Sequence, residues 1–354
     1  MFRKSLCMGL ILLLSIPAVV FSAPSITSVT GTIAKDEILT ITGAAFGTKA
    51  TPKPFKWDNF EKGTLGAKVG APSSLSANTT NWILKSSGVA GREPVYNGTQ
   101  LRKNSARSSY HNMSVPDENC YGSGLGIDFA SEDFIYLTWW GYYEETGNPT
   151  DNWKYFRHYG PPVHGITKLT SPVYYMEGIV TDYVNKSIPN KQWVRIECAY
   201  KAGLDGAAKF WLHTTSPESI ILNSDISGDY SGSFKELRIM DYYRRMAAGS
   251  TVVDRGLNAW LDDVYVDTTQ ARVEAGNMET WSGCTHREIQ IPSKWESNSI
   301  SITFNQGSFD NGKTVFVYVV DANGSVNTQG YPVTIGGTAA ATAPPATTLS
   351  ISTN

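Results

Sequence analysis

The stretch WLDDVYVD, Trp260 to Asp267, has the valines and aromatic residues of a β-strand, yet it carries two adjacent carboxylates in its middle. β-Branched and aromatic residues favour strands, whereas Asp is depleted there. Asp262 and Asp263 therefore need a partner that offsets their charge. A much earlier stretch, FKWDNFEKG from Phe55 to Gly63, carries further carboxylates and is a candidate neighbour of this strand.

Outward from that strand, the chain consists of short alternating runs separated by Gly, Asn, Asp and Pro, among them 32 glycines and 17 prolines. We find no long stretch with the 3.6-residue apolar period of a helix. Short alternating runs with turn residues between them predict an all-β protein. The clearest strand segments are YLTWWGYYE, NWKYFRHYG, QWVRIECAYK, AAKFWLHT, KELRIMDYY and AWLDDVYVD.

The first residues predict export. Arg3 and Lys4 precede an apolar run, Leu6 to Val20, which ends in small residues at Ala23. This pattern is typical of a secretory signal peptide and predicts a secreted, cell-surface or periplasmic protein without membrane insertion. Removal of the two basic residues takes the net charge from −2 to −4. Such a small charge gives no footprint for nucleic acid.

Cysteine and histidine do not form a metal motif. After residue 23 the cysteines are Cys120, Cys198 and Cys284, with no CxxC spacing and no HExxH. Because an exported protein can oxidise a pair of thiols, we expect a bond between Cys120 and Cys198, which lie in the same proposed domain.

Both ends of the chain resemble one known domain. The segments SITSVTG and EILTITG, followed by AAFGTK, resemble the start of an IPT/TIG domain, a small immunoglobulin-like sandwich. The segments ARVEAGN, REIQIPSKWESNSISITF and GKTVFVYVVDANGSVNTQGYPVTI resemble the rest of it. The resemblance implies a split domain, 24–50 plus 270–336, followed by a flexible tail, 337–354. The alternative is two unrelated terminal β segments.

The insert, 51–269, resembles a different class of module. The order QWVRIE, GAAKFWL and LDDVYVD is similar to jelly-roll, concanavalin-like lectins and glucanases, including carbohydrate-binding modules and some polysaccharide lyases. The fold that we predict is therefore a jelly-roll β-sandwich inserted into a small immunoglobulin-like β-sandwich.

The paired aspartates have a place in this resemblance. In many such carbohydrate-binding modules an N.DFE.G start and an lDDv final strand are neighbours, with a structural Ca²⁺ between them. The resemblance implies that Glu61 and Asp263 are ligands, with Asp58 and Asp262 as candidates. Calcium takes six to eight oxygen ligands, so clustered carboxylates suit it. The alternative is that the aspartates are solvated or paired with Arg or Lys.

Strand alternation places many aromatic and basic side chains on the faces opposite the apolar ones. Aromatic rings stack on the C–H faces of sugars, while arginine and histidine bond hydroxyls and carboxylates. The candidate ligand-binding residues are Tyr136, Trp140, Tyr142, Tyr155, Arg157, Trp211, His213, Arg238 and Tyr242. Alternatively, about half of them pack under loops or against the immunoglobulin-like domain.

Together these patterns predict a secreted protein that binds extracellular or cell-surface polysaccharide without catalysing a reaction. No glucanase ExDxxE motif and no alginate-lyase strand motif is present, and we expect no catalytic residues. A polysaccharide lyase or hydrolase on the same sandwich is the first alternative. The second is a structural or adhesive cell-envelope protein with cell-surface protein partners.

Overall fold

The computed structural model describes residues 22–85, 91–113, 120–145, 152–160, 164–170, 173–177, 182–184, 188–244 and 256–339. Most of the predicted signal peptide and tail lies outside them. The strands are β1 Ser25–Thr32, β2 Ile38–Ala44, β3 Lys56–Asp58, β4 Ile83–Lys85, β5 Val95–Asn97, β6 Ser108–Asn112, β7 Cys120–Tyr121, β8 Gly124–Glu132, β9 Phe134–Glu145, β10 Asn152–Tyr159, β11 His164–Thr170, β12 Val173–Glu177, β13 Asp182–Val184, β14 Trp193–Lys201, β15 Gly203–Thr215, β16 Glu218–Tyr230, β17 Phe234–Arg244, β18 Leu257–Asp267, β19 Arg272–Gly276, β20 Arg287–Trp295, β21 Ser299–Thr303, β22 Thr314–Val320, β23 Tyr331–Thr334 and β24 Thr338–Ala339.

The two ends of the chain form one β unit, which we name the terminal sandwich. Its strand order is β23-β22-β19-β20-β21-β2-β1-β24. Strand β2 pairs antiparallel with β21, so that Leu39 faces Ile302 and Ile41 faces Ile300. These residues lie in a core of their own together with buried side chains of β19, β22 and β23. The immunoglobulin-like part of the predicted fold is thus assembled across the insert.

The insert is a jelly-roll sandwich of two sheets. One, the interface sheet, has the order β16-β15-β14-β9-β18-β6-β5, with β3 also paired to β18. The other, the distal sheet, has the order β13-β12-β11-β10-β17-β8-β4, with β7 also paired to β17. The predicted all-β class with a jelly roll inserted into a smaller sandwich is confirmed.

A hydrophobic core joins the two sheets of the insert. It brings Trp139 of β9 and Phe210 of β15 against Phe156 of β10 and Ile239 of β17. Burial of such large apolar side chains is the main force that holds a sandwich together. The outer face of each sheet, which points away from this core, is available for contact with the terminal sandwich or with a ligand.

The insert leaves and rejoins the terminal sandwich at one place. Strand β3, near its start, pairs with β18, near its end. Beside them the Lys49 ammonium lies 2.6 Å from an oxygen of Asp267, and Tyr265 donates to the same carboxylate at 2.9 Å. This buried pair ties the outgoing segment to the returning one.

Cys198 is a free, buried thiol in the core of the insert, and Cys284 is also free and buried. The expected bond from Cys198 to Cys120 is therefore wrong, since inward alternation on β14 points Cys198 into the apolar core. Within the described ranges, no helix has the length and hydropathy needed to cross a bilayer.

Candidate functional site

The outer face of the interface sheet is covered by the terminal sandwich. Ile289 and Ile291 of β20 pack against Trp57, Tyr136 and Tyr265 of that sheet. As a consequence, three of the predicted ligand-binding residues are buried, with exposed fractions of 1–2%: Tyr136, Trp140 and His213. For these three residues the prediction of an open glycan surface is wrong, because a neighbouring β unit occupies it.

A network of charged side chains fills this buried interface. Arg195 of β14 donates to Glu274 of β19 at 2.9 Å, and Arg272 donates to Glu274 at 2.7 Å and to Glu197 at 3.0 Å. Arg287 lies 3.3 Å from Glu274 and 3.5 Å from Glu197. Buried charges are tolerated only when paired in this way. The network therefore aligns the two sandwiches.

The ionisation of the network follows from this pairing. Burial alone would raise the pKa of Glu197, but Arg272, His213 and Arg195 outweigh it and hold that pKa well below its usual range. Burial lowers the pKa of His213 to about 4, so its ring is neutral near pH 7. His213 thus serves as a neutral partner of Glu197, at 2.9 Å.

The paired aspartates of β18 lie in a second buried network. Asp263 forms an ion pair with Arg102, whose guanidinium also binds Glu288 of β20. Asp262 accepts a hydrogen bond from Ser105 at 2.8 Å. Burial and the neighbouring Asp263 raise the pKa of Asp262 well above its usual range. Arg102 therefore offsets the charges of Asp263 on β18 and Glu288 on β20.

The other two predicted calcium ligands have separate partners. Asp58 accepts from Trp82 Nε1 at 2.8 Å and from the Phe60 N–H at 2.9 Å. Glu61 accepts from the Ala106 N–H at 2.8 Å. Across the described residues, no group of three or more His, Cys, Asp or Glu side chains is placed to hold a metal. In the described residues each of the four predicted carboxylates thus has its own protein partners.

Tyr142 and Trp211 have partly exposed positions on the interface sheet. Tyr142 packs between Trp193 and Trp260, with ring centroids 5.8 Å away in both cases. The ring of Tyr142 is tilted by 59° against Trp193 and meets Trp260 edge to face at 78°, so it packs within a row of aromatic side chains. Trp211 lies elsewhere, beside a cavity at the boundary with the terminal sandwich.

The distal sheet brings together the remaining predicted residues except one. Arg157 of β10 lies directly opposite Arg238 of β17, and both alternate with core residues, so they point outward. Tyr242 follows on β17, with its ring 5.1 Å from the Arg157 guanidinium. Tyr155 is the exception, because its side chain lies in the hydrophobic core.

Residues not predicted from the sequence complete this cluster, which we name the distal arginine face. Arg157 Nε donates to Asp241 at 3.0 Å, and Arg238 pairs with Glu236. Tyr159 lies under Arg238, with its ring 4.5 Å from the guanidinium. Tyr159 could have been found from the sequence, since it has the parity of Arg157.

The distal arginine face is held rigid and accessible at once. Arg157 and Arg238 keep 17% and 27% of their side-chain surface exposed while their carboxylate partners fix their position. Their outer cross-strand neighbours are Gly165 and Gly126, which carry no side chain that could cover a guanidinium. Two planar guanidinium groups and two aromatic rings thus form a preorganised surface for planar anions and sugar rings.

Comparisons with known proteins give fold likeness only. No family model matches this chain, and no curated protein matches it significantly. Among solved structures, an endo-β-1,4-glucuronan lyase from the fungus Trichoderma reesei aligns with 12% identity and a TM-score of 0.40, over 58% of this chain and 96% of that one. The alginate lyase Aly36B aligns with 11% identity and a TM-score of 0.40, over 62% and 98%. The cellulose-induced protein Cip1 aligns with 11% identity and a TM-score of 0.41, over 60% and 97%. These weak likenesses assign no activity to this chain.

Proposed function

We propose that this chain is an exported carbohydrate-binding protein that recognises an acidic polysaccharide through the distal arginine face. The observation that carries the proposal is the juxtaposition of Arg157 and Arg238 on adjacent strands, with Tyr159 and Tyr242 beside them. Guanidinium groups match carboxylates in shape and charge, and aromatic rings offer surfaces for sugar rings. An acidic sugar presents both features in one unit.

The arrangement favours an extended chain of sugars over a small ligand. The arginines project from neighbouring strands of a sheet, and cross-strand neighbours in a sheet lie about 5 Å apart. A polymer can therefore lie across the strands and present more than one carboxylate to the face.

A polysaccharide lyase on the same face is the second candidate. Elimination beside a uronic carboxylate needs a cation to offset its charge, a base to remove the neighbouring proton and an acid to protonate the leaving oxygen. Arg238 lies 3.4 Å from the Tyr159 hydroxyl. Burial raises the pKa of Tyr159, so the phenol stays protonated and is a poor base near neutral pH. We therefore favour binding over catalysis.

The test is binding of alginate and polyglucuronate by calorimetry, with wild type, Arg157→Ala and Arg238→Ala. A lost charge-assisted contact is worth roughly 1.5–3 kcal/mol, so we expect each variant to bind about tenfold or more weakly. Added salt weakens binding of the wild type. Lys313→Ala, which removes an exposed cation of the terminal sandwich, is the matched control and should bind normally.

The same samples separate binding from catalysis. Ultraviolet absorbance of unsaturated chain ends is followed over hours in the wild-type mixtures. Its appearance, and its loss in Arg238→Ala, would establish the lyase instead. Failure of both polymers to bind the wild type, or equal binding by all variants, would refute the distal arginine face as a site for acidic polysaccharide.

A further inference from the structure

A groove runs along the boundary between the interface sheet and the terminal sandwich, away from the distal arginine face. It consists of two cavities of about 430 and 670 Å³. Both are lined by Lys209, Gln270 and Asn323, which connects them along the boundary. Volumes of roughly 300–1,000 Å³ are typical of ligand-binding cavities. The groove is therefore large enough for two or more sugar units.

Aromatic rings from both sandwiches line the smaller cavity. Trp211 projects outward from β15, where its cross-strand neighbours are Glu197 and Leu222. Trp281 comes from a short 3₁₀ helix of the terminal sandwich and packs 3.7 Å from the Arg287 guanidinium. Both tryptophans are partly exposed. Each sandwich thus contributes one indole to one cavity.

The charges that line the smaller cavity are already compensated. Arg272 and Arg287 both contact Glu197 and Glu274 in the buried network. Lys209 lies 3.0 Å from Asp225. Arg272 and Arg287 are also buried, with 5% of their surface exposed, so they present less guanidinium to an acidic ligand than the partly exposed arginines of the distal arginine face do. The polar atoms of the groove instead suit a ligand that is rich in hydroxyl groups and uncharged.

We propose that this groove is a second binding site and that it takes a neutral oligosaccharide. Pyranose rings pack on Trp211 and Trp281, while Gln270, Asn323 and Lys209 bond the hydroxyls. Because the two indoles belong to different sandwiches, the site exists only when the terminal sandwich covers the interface sheet. It is independent of the distal arginine face in both position and ligand charge.

The experiment titrates the full chain with cellohexaose, xylohexaose and mannohexaose. Calorimetry and tryptophan fluorescence measure the binding. We expect saturable binding of at least one of them, with little change on adding salt. Loss of an aromatic anchor typically weakens binding roughly tenfold or more, and we expect this of Trp211→Ala and of Trp281→Ala. Trp211→Phe keeps a ring and should retain more affinity than Trp211→Ala.

The controls separate this proposal from the first. Arg238→Ala, on the distal arginine face, should bind the neutral oligosaccharides as the wild type does. Thermal unfolding of each variant verifies its fold. The proposal is overturned if no neutral oligosaccharide binds the wild type, if both folded tryptophan variants bind normally, or if Arg238→Ala removes the binding. Binding of acidic polymers at the distal arginine face is measured independently of these results.

Discussion

Asp58 is a single residue whose ionisation is controlled by burial. Its carboxyl group is almost inaccessible, and desolvation raises its pKa to about 7, although Trp82, Phe60 and Lys56 partly offset the effect. The unfolded chain ionises Asp near its ordinary value of 3.8. The folded state therefore retains a proton that the unfolded state has lost between about pH 4 and pH 7. The stability that this proton adds is complete below that window and is lost as the pH rises through it.

We predict that Asp58→Asn has a shallower decrease of unfolding free energy between about pH 4 and pH 7 than the wild type. The titration of Asp58 contributes up to roughly 1.4 kcal/mol per pH unit, and asparagine does not titrate. Denaturant unfolding at constant ionic strength measures the slope. Asp36→Asn is the control, because Asp36 is exposed and its positive φ of 67° suits asparagine. Identical slopes for Asp58→Asn and wild type would contradict the assignment.

At the scale of elements, the paired aspartates mark an irregularity in β18. Asp263 has a φ of 49°, and the register with β9 shifts between Asp262 and Tyr265. The irregular position brings both carboxylates to one region of the boundary, where Arg102 binds Asp263 and Glu288. The arginine thus compensates charges on two elements, β18 and β20.

We predict that Arg102→Ala lowers the unfolding free energy by about 3–5 kcal/mol, because it leaves Asp263 and Glu288 buried without their cation. Lys103→Ala is a matched control on the next residue. The pair of Lys103 with Asp310 is about half exposed and screened by solvent, so its loss should cost much less than the loss of Arg102. Denaturant unfolding compares the two, and equal losses would show that the Arg102 network does not stabilise the fold.

In regular strands, the alternation of side chains predicts correctly which residues face the core. Phe210 and Leu212 of β15, and Leu237 and Ile239 of β17, lie in the core as their parity indicates. Parity fails for Tyr155, because the register of β10 shifts between Lys154 and Phe156 and turns Tyr155 inward. A shift of one residue leaves no mark in the apolar pattern, so this part of the site could not be predicted.

At the scale of the whole molecule, one sandwich determines which surfaces of the other are open. Trp139 and Trp140 of β9 are both buried, the first in the core and the second beneath the terminal sandwich. The sequence resemblance indicates that both units exist, but it contains no information on which face they share. Alternation on β9 therefore predicts an aromatic face for sugar binding at Tyr136 and Trp140, whereas in the structure this face lies at the boundary between the two units.

The boundary should also make the two sandwiches unfold together, and Glu274 is where this coupling can be tested. Its carboxylate is fully buried and contacts Arg195, Arg272 and Arg287, which span both units. Removal of a buried ionic partner costs about 3–5 kcal/mol, and here it takes the carboxylate away from Arg195 and leaves Arg272 and Arg287 to share Glu197. We predict a single calorimetric transition for the wild type and a transition for Glu274→Ala that is at lower temperature, broadened or divided.

Glu296→Ala, which removes an exposed carboxylate of the same sandwich, should unfold as the wild type does. Two separate transitions in the wild type would show that the charged boundary aligns the sandwiches without coupling their stability.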